Sequence, residues 1–168
     1  MRTLLLLRHA KSSWADPSLA DADRPLAPRG ERAARAIGRY LYEKRVRPEL
    51  VLCSPSLRTR RTFEAIEPSL GRDVLIEYEQ ELYGASADEL LARLREVPGS
   101  TGSVLVLGHN PGLHELAVSL AGRGARLDGL RESFPTAALA TLALEDGWRD
   151  LRPGAAELVD YVVPKELS

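Results

Sequence analysis

The chain has 168 residues, is 44% hydrophobic and carries a formal net charge of -1 at pH 7. This composition is typical of a globular protein and predicts one domain over residues 1–168. Nucleic acid is not favoured as a partner, because there is no net basic charge to neutralise many phosphates. The single cysteine, Cys53, excludes an intramolecular disulfide, and no segment reaches the ~20 apolar residues of a membrane helix. We therefore expect a cytoplasmic protein without a membrane partner.

The first third of the chain alternates short apolar runs with one helical pattern. Leu4–Leu7 is an apolar run too short for a membrane helix, and it predicts a buried strand. Residues 11–28 are rich in Asp, Ser and Pro without periodicity, which predicts an ordered loop. Helical spacing over Glu31–Leu41 predicts an amphipathic helix, and Leu50–Cys53 predicts a second buried strand.

Two further helices are predicted to begin at polar caps beyond a strand. Ser54 as N-cap and Pro55 at the first helical position would place Arg58 in the first helical turn. Asn110 and Pro111 repeat this layout after the predicted strand Ser103–Leu107. The other predicted elements are a strand at Val74–Ile76, a helix at Ala87–Val97, a loop at Gly122–Phe134, a hairpin or edge strands at Ala138–Leu144 and Trp148–Leu151, and a short element at Leu158–Val163.

This alternation of strands and helices predicts an α/β fold. Right-handed crossovers give a three-layer α/β/α arrangement, with a mainly parallel sheet and helices on both faces. In such sheets ligands bind beyond the carboxyl ends of the strands. Three junctions that carry cationic or imidazole groups would therefore meet at one edge: Arg8-His9, Ser54 with Arg58, and Gly108-His109.

This edge has the character of a phosphate site. Helix N-termini and arginine side chains offer donors to a phosphoryl group, and neighbouring positive charge favours a neutral histidine. We therefore predict that His9 is a nucleophile that forms a phosphohistidine intermediate, with Arg8, Arg58 and His109 holding the phosphate oxygens. The residues predicted to contact substrate beside them are Lys11, Ser12, Ser54 and Asn110.

Other chemistries find less support in the sequence. The three histidines and the single cysteine do not form a zinc pattern, and neither of the common glycine-rich nucleotide loops is present. We therefore predict no metal and no cofactor. His114 is interpreted as a surface or core residue, and the following arginines as solvated helix faces: Arg32, Arg35, Arg39, Arg60 and Arg61.

The motifs resemble those of the histidine phosphatase superfamily. Its marks are L-R-H-G or L-R-H-A after the first strand, S-P-x-x-R-T, and a later G-H, which match Leu7–Ala10, Ser54–Thr59 and Gly108-His109. Within the superfamily, Arg8–Trp14, together with Asp23–Leu26 and Gly108–Pro111, is most similar to the SixA branch of small phosphohistidine phosphatases.

The resemblance implies a phosphoglycerate mutase-like fold. It also implies removal of phosphate from a phosphohistidine-bearing protein of the phosphotransfer type, without metal or cofactor. Larger relatives place an acid between the second and third motifs to protonate an alcohol leaving group. The candidate region here is Glu79–Gly84, where Glu81 is predicted as the proton donor and Gln80 is the alternative match.

The substrate is less closely defined than the site. The interval between Arg58 and His109 leaves no room for a large lid, so a histidine on the surface of another protein could enter. One alternative is a phosphomonoesterase or mutase-like enzyme acting on small metabolites. A second is a module that binds phosphorylated proteins without turnover. The oligomeric state is not predicted.

Overall fold

The computed structural model describes residues 1–167, which contain one seven-stranded sheet. The strands are β1 (Arg2–Arg8), β2 (Leu50–Cys53), β3 (Leu75–Tyr78), β4 (Ser103–Gly108), β5 (Ala121–Gly124), β6 (Leu139–Leu144) and β7 (Ala156–Val162). The helices are α1 (Pro28–Glu43), α2 (Leu57–Ile66), α3 (Ala87–Arg95), α4 (Gly112–Leu120) and α5 (Leu127–Glu132).

The strand order places the predicted junctions side by side. It is β3-β2-β4-β1-β6-β7-β5, so that β2, β4 and β1 are neighbours. These three strands run parallel to one another, whereas β6 is antiparallel to both β1 and β7. The prediction of a mainly parallel sheet is confirmed. The carboxyl ends of its central strands lie together at one edge of the sheet, where the three junctions were predicted to meet.

Alternate residues of β1 face two separate cores, because successive side chains of a strand point to opposite faces. Leu4 and Leu6 pack with residues of α3, α4 and α5, and Leu5 and Leu7 pack with residues of α1 and α2. Helices therefore cover both faces of the sheet, which confirms the three-layer α/β/α prediction. All four leucines are fully buried, so β1 carries no polar side chain between Thr3 and Arg8.

Two predicted helix caps are wrong. The helix α2 begins at Leu57 with Ser56 at the N-cap position, so Ser54 and Pro55 precede it. Helix α4 begins at Gly112, and Asn110 is not its N-cap. In both cases the polar side chain is engaged elsewhere. Ser54 Oγ contacts His109 Nε2 at 2.8 Å, and Asn110 Nδ2 donates to the Phe134 carbonyl oxygen at 2.8 Å.

The C-terminal third differs from the prediction in two places. The predicted loop Gly122–Phe134 contains most of β5 and all of α5, since β5 gains its conformation by pairing with β7. The hairpin partner of β6 is β7 and not Trp148–Leu151. Trp148 is buried in a 3₁₀ turn, and its indole N–H donates to the Thr101 carbonyl oxygen at 2.7 Å. Within residues 1–167, no helix has the length and apolar character needed to cross a bilayer.

The start of α1 is packed tightly against the segment that follows β1. Gly30 approaches the backbone of Lys11 so closely that a Cβ atom there would lie 2.1 Å from the Lys11 carbonyl oxygen. The same oxygen accepts a hydrogen bond from the Ala27 N–H at 2.9 Å. Only glycine fits this contact without displacing the backbone. The helix and the residues after His9 are therefore joined directly.

Candidate active site

The carboxyl ends of β1, β2 and β4 bring the predicted chemical groups into one cleft. The His9 N–H donates to the Gly108 carbonyl oxygen at 3.1 Å, and the Ser54 N–H donates to the Leu107 carbonyl oxygen at 3.1 Å. The rings of His9 and His109 lie 5.2 Å apart between centroids. A cleft of about 470 Å³ opens here, and Arg8, His9, Arg58 and His109 all line it.

His9 is held as a neutral imidazole with one free lone pair. Its Nδ1 lies 2.8 Å from the Ala10 carbonyl oxygen, and since a carbonyl can only accept, Nδ1 carries the proton. Burial lowers the pKa of His9 to about 3, with smaller contributions in the same direction from His109, Arg58 and Arg8. The unprotonated Nε2 is therefore available for nucleophilic attack at neutral pH.

His109 is neutral for similar reasons and is held from behind by a serine. Burial lowers the pKa of His109 to about 4, and Arg58 acts in the same direction. Ser54 is fully buried, does not line the cleft, and contacts His109 Nε2 through its hydroxyl at 2.8 Å. If the hydroxyl donates to Nε2, the proton of His109 resides on Nδ1, which can then serve as a hydrogen-bond donor.

Of the three arginines that line the cleft, Arg8 and Arg58 are held by acceptors on their terminal nitrogens. Within residues 1–167, the buried Nε atoms of Arg8 and Arg58 have no hydrogen-bond acceptor. Arg8 donates through Nη1 to the Phe134 carbonyl oxygen at 3.2 Å. Arg58 donates through Nη1 to the Asp21 carbonyl oxygen at 2.8 Å and through Nη2 to the Asp21 carboxylate at 3.0 Å. Guanidinium groups give forked, charge-assisted hydrogen bonds to anions, so these two side chains of the cleft suit a phosphoryl group.

A carboxylate from the long loop closes one side of the cleft. Asp21 pairs with Arg58 at 3.0 Å and with Arg24 at 3.2 Å, and it accepts a hydrogen bond from the Tyr83 hydroxyl. The Tyr83 hydrogen bond, followed by those from Arg58 and Arg24, lowers the pKa of Asp21 to about 2. Asp21 is therefore an anion at neutral pH and partly compensates the positive charge of the arginines in the cleft.

A threonine of α2 connects Arg58 to the segment that follows the nucleophile. Thr62 Oγ1 donates to the Arg58 carbonyl oxygen at 2.8 Å and accepts from the Ala10 N–H at 3.0 Å. Both bonds are buried. They join the second motif to the first, so the distance between His9 and Arg58 is set by the backbone as well as by packing.

The predicted substrate contacts have different positions. Lys11 is exposed at the cleft, and Ser12 and Asn110 also line it. Ser12 is buried and accepts a hydrogen bond from Arg24 at 2.7 Å. Ser54 lies behind His109, as described above, so its predicted contact with substrate is corrected to a contact with that histidine.

Glu81 is not brought to the cleft. It is exposed and lines a separate depression beside α3, together with Glu79 and Arg93. The reason is the short 3₁₀ turn at Gln80–Leu82, which buries Leu82 in the core. Neither Glu81 nor the alternative, Gln80, is among the residues that line the cleft.

Six lining residues were not predicted as site residues from the sequence. They are Trp14, Asp21, Arg24, Tyr83, Gly84 and Thr136. The first three belong to the loop 11–28, where the guanidinium of Arg24 lies 3.6 Å above the Trp14 ring. The available signal was the length of that loop beside a predicted nucleophile, because long ordered loops in small domains frequently carry function.

No cluster of three or more His, Cys, Asp and Glu side chains suited to a metal ion occurs among residues 1–167. The histidines of the cleft instead face arginines, whose positive charge would repel a cation. The side chains present fit an anion.

Comparisons with known proteins agree with this geometry. The sequence profile of the histidine phosphatase superfamily (branch 1) matches residues 4–89. An uncharacterised protein of Mycobacterium tuberculosis is 37% identical over 163 residues, which cover 95% of this chain and 100% of that protein. The similarity to the mycobacterial protein spans all three motif regions.

Two solved structures are similar over nearly their whole length. A candidate SixA phosphohistidine phosphatase from Nakamurella multipartitia has a TM-score of 0.84 and 34% identity, over 97% of this chain and 96% of that chain. Its counterpart from Agrobacterium tumefaciens has a TM-score of 0.82 and 29% identity, over 97% and 98% of the two chains. The predicted phosphoglycerate mutase-like fold is thereby confirmed.

Proposed function

Since the chain belongs to the histidine phosphatase superfamily and is of the SixA type, we propose that it hydrolyses phosphohistidine on a protein through a phosphoenzyme on His9. The observation that carries this proposal is a neutral His9 with a free Nε2, in a cleft that has three arginines but no acid able to donate a proton.

The reaction has two displacements at phosphorus. His9 Nε2 attacks, a new N–P bond forms, and the bond from phosphorus to the imidazole nitrogen of the substrate breaks. The leaving imidazole departs neutral when its other nitrogen is already protonated, so it needs no proton from the enzyme. Water then attacks the phosphoenzyme, the His9 N–P bond breaks, and inorganic phosphate leaves with the proton balance closed by solvent.

The surrounding donors stabilise charge as it shifts between the two displacements. The guanidinium groups of Arg8 and Arg58, which line the cleft, and the ring N–H of His109 are the donors for the oxygens of the transferring phosphoryl group. Donors held in place before reaction stabilise the transition state without reorganisation. Ser54 and Thr62 position these groups, and we assign them no direct contact with phosphate.

The absence of a usable acid favours phosphohistidine over phosphate esters. Among the described residues that line the cleft, Asp21 is the only carboxyl group, and its pKa of about 2 leaves it ionised at neutral pH. An alkoxide leaving group needs a proton in the transition state, whereas a protonated imidazole does not. Esters of sugars should therefore react slowly, which separates the proposal from a small-molecule phosphomonoesterase.

Rapid-quench labelling tests the proposal. The parent protein is mixed with a radiolabelled phosphohistidine peptide, quenched in base or acid, and assayed for protein-bound label. We expect an acid-labile, base-stable phosphoenzyme in the parent and none in His9→Ala, with phosphate release reduced by about a thousandfold or more. His114→Gln is the matched control, because His114 is the one histidine outside the cleft lining.

Three results would contradict the proposal. Phosphate release by His9→Ala equal to that of the parent would show that His9 is not the nucleophile. Tight binding of the phosphopeptide without release of phosphate would favour the binding module. Initial rates on sugar phosphates equal to those on phosphohistidine would favour the phosphomonoesterase.

A further inference from the structure

A second groove lies beside the cleft, along the outer side of α1. It has a volume of about 670 Å³ and runs between α1 and the C-terminal segment Val163–Leu167. We call it the α1 groove. Lys11 and Thr136 line both the α1 groove and the cleft, so the two adjoin each other.

One wall of the α1 groove is a row of arginines. Arg29, Arg32 and Arg39 are spaced by three and seven residues along α1, which places them on one side of the helix over about 15 Å. All three are exposed, and none forms an ion pair or side-chain hydrogen bond within residues 1–167. None of the described residues that line the groove is acidic.

This arrangement does not serve the stability of the helix. The first turn of a helix favours acidic side chains and disfavours cations, because the N-terminal end of the helix dipole is positive. Arg29 lies in that turn of α1. The whole chain is close to neutral, with 23 basic and 24 acidic residues, so an unbalanced row of arginines marks a local feature.

The floor of the α1 groove is apolar and aliphatic. It is formed by Ala33, Ala36, Val163 and Leu167. Aliphatic floors flanked by charge are the features that bind an amphipathic polypeptide segment, whose apolar side enters the groove and whose charged side chains meet the rim. No aromatic side chain is among the described lining residues, so the groove offers no ring on which nucleic-acid bases could stack.

We propose that the α1 groove binds an acidic amphipathic segment of the protein whose phosphohistidine enters the cleft. The proposal rests on the proposed function and adds the chemistry of the partner to it. The partner presents apolar side chains to the alanine floor and carboxylates to Arg29, Arg32 and Arg39, while its phosphohistidine reaches His9 past Lys11. Charge complementarity of this kind raises the rate of encounter and fixes the orientation of the partner.

The test compares three substrates with the full chain. The first is a synthetic peptide with one phosphohistidine beside an acidic amphipathic segment, and the second is the same peptide with its carboxylates replaced by amides. The third is free phosphohistidine, which is too small to fill the α1 groove. We expect kcat/KM for the acidic peptide to exceed that for the amide peptide by about tenfold.

The variants separate the α1 groove from the cleft. Arg32→Glu/Arg39→Glu should abolish the advantage of the acidic peptide and leave kcat/KM for free phosphohistidine unchanged. The matched control is Arg35→Glu/Arg72→Glu, which changes the net charge equally at two exposed arginines that do not line the groove. The control should keep most of the advantage.

Binding measurements keep this inference distinct from the proposed function. Fluorescence anisotropy with the unphosphorylated acidic peptide reports on the groove whether or not phosphohistidine is hydrolysed. Binding by the parent and the control, and not by Arg32→Glu/Arg39→Glu, supports the groove even if turnover fails. Equal losses in both double variants, equal kcat/KM for the two peptides, or displacement of the acidic peptide by a single-stranded oligonucleotide would overturn the inference.

Discussion

The cleft and the α1 groove are both basic and share Lys11, yet their cations are held in different ways. In the cleft, Arg58 is only 7% exposed and is fixed by the backbone and carboxylate of Asp21. In the α1 groove, the arginines are exposed and have no fixed partner within residues 1–167. The cleft is thus organised before an anion arrives, and the groove is not.

The difference separates two uses of positive charge. A buried arginine acts over a short range on a group of defined shape and is weakly screened by salt, because water and ions are excluded. An exposed arginine acts over about a Debye length, tolerates varied partners and is strongly screened. We therefore assign bond-making to the cleft and recognition of the partner to the groove, and the following predictions test that division.

The largest effect is expected from Arg58→Ala. It should lower kcat/KM by about a thousandfold on every substrate, since it removes transition-state donors and leaves Asp21 with Arg24 as its only cationic partner among residues 1–167. Steady-state kinetics on free phosphohistidine and on the peptides checks this, with Arg61→Ala, an exposed arginine of the same helix, as control. A loss of kcat/KM confined to the acidic peptide would show that Arg58 acts in recognition of the partner and not in the chemical step.

The neutral state of His9 should be visible in the pH dependence of stability. The folded-state pKa of His9 is about 3 and its ordinary value is 6.5, so between these values the unfolded chain binds more protons and stability falls as pH falls. Between about pH 6.5 and about pH 4.5, His9→Gln should lose about 2 kcal/mol less of its free energy of unfolding than the parent. Urea unfolding at the two pH values measures this, and identical losses would show that His9 is not held neutral by the fold.

A smaller effect is expected from Asp21→Asn. Asp21 competes with phosphate for Arg58, so its neutralisation should tighten product inhibition by inorganic phosphate about fivefold. Asp23→Asn is the matched control, because Asp23 is exposed in the same 3₁₀ turn and does not line the cleft. Weaker inhibition in Asp21→Asn would show instead that the carboxylate mainly orients Arg58.

The smallest effect concerns added salt. Raising sodium chloride from about 0.05 M to about 0.5 M shortens the Debye length roughly threefold, and it should lower kcat/KM for the acidic peptide by a few fold more than for its amide counterpart. Initial rates across a salt series provide the measurement. Parallel salt curves for the two peptides would place recognition outside the exposed arginines.

Local patterns were sufficient to predict the layers and the convergence of the strand ends. The apolar runs and helical spacings of the sequence correspond to β1, β2, β4 and to α1 through α4, and parallel pairing then brings Arg8-His9 and Gly108-His109 together. These features depend on the spacing of apolar residues over a few positions. The same spacing forms the apolar faces that pack into the core, so the folded structure retains the elements that it predicts.

Features that depend on distant partners were not predictable. Serine is a common N-cap residue, but the Ser54 hydroxyl instead contacts His109, which follows the neighbouring strand β4. The segment Ala121–Gly124 has no strand pattern and becomes β5 only by pairing with β7. Asp21 lies in a loop without periodicity, where its position is set by Arg58, Arg24 and Tyr83. Glu81 lies outside the cleft because its neighbour Leu82 is buried in the core.

The contact between Gly30 and Lys11 has a consequence for the choice of partner. The backbone of α1 lies directly against the residues that follow His9, and this contact sets the spacing between His9 and the row of arginines. A partner would then be selected by the interval along its own chain between the phosphohistidine and the acidic segment. Peptides of equal charge that differ in the number of residues between the phosphohistidine and the acidic segment should differ in turnover. A larger residue at position 30 should reduce that difference in turnover.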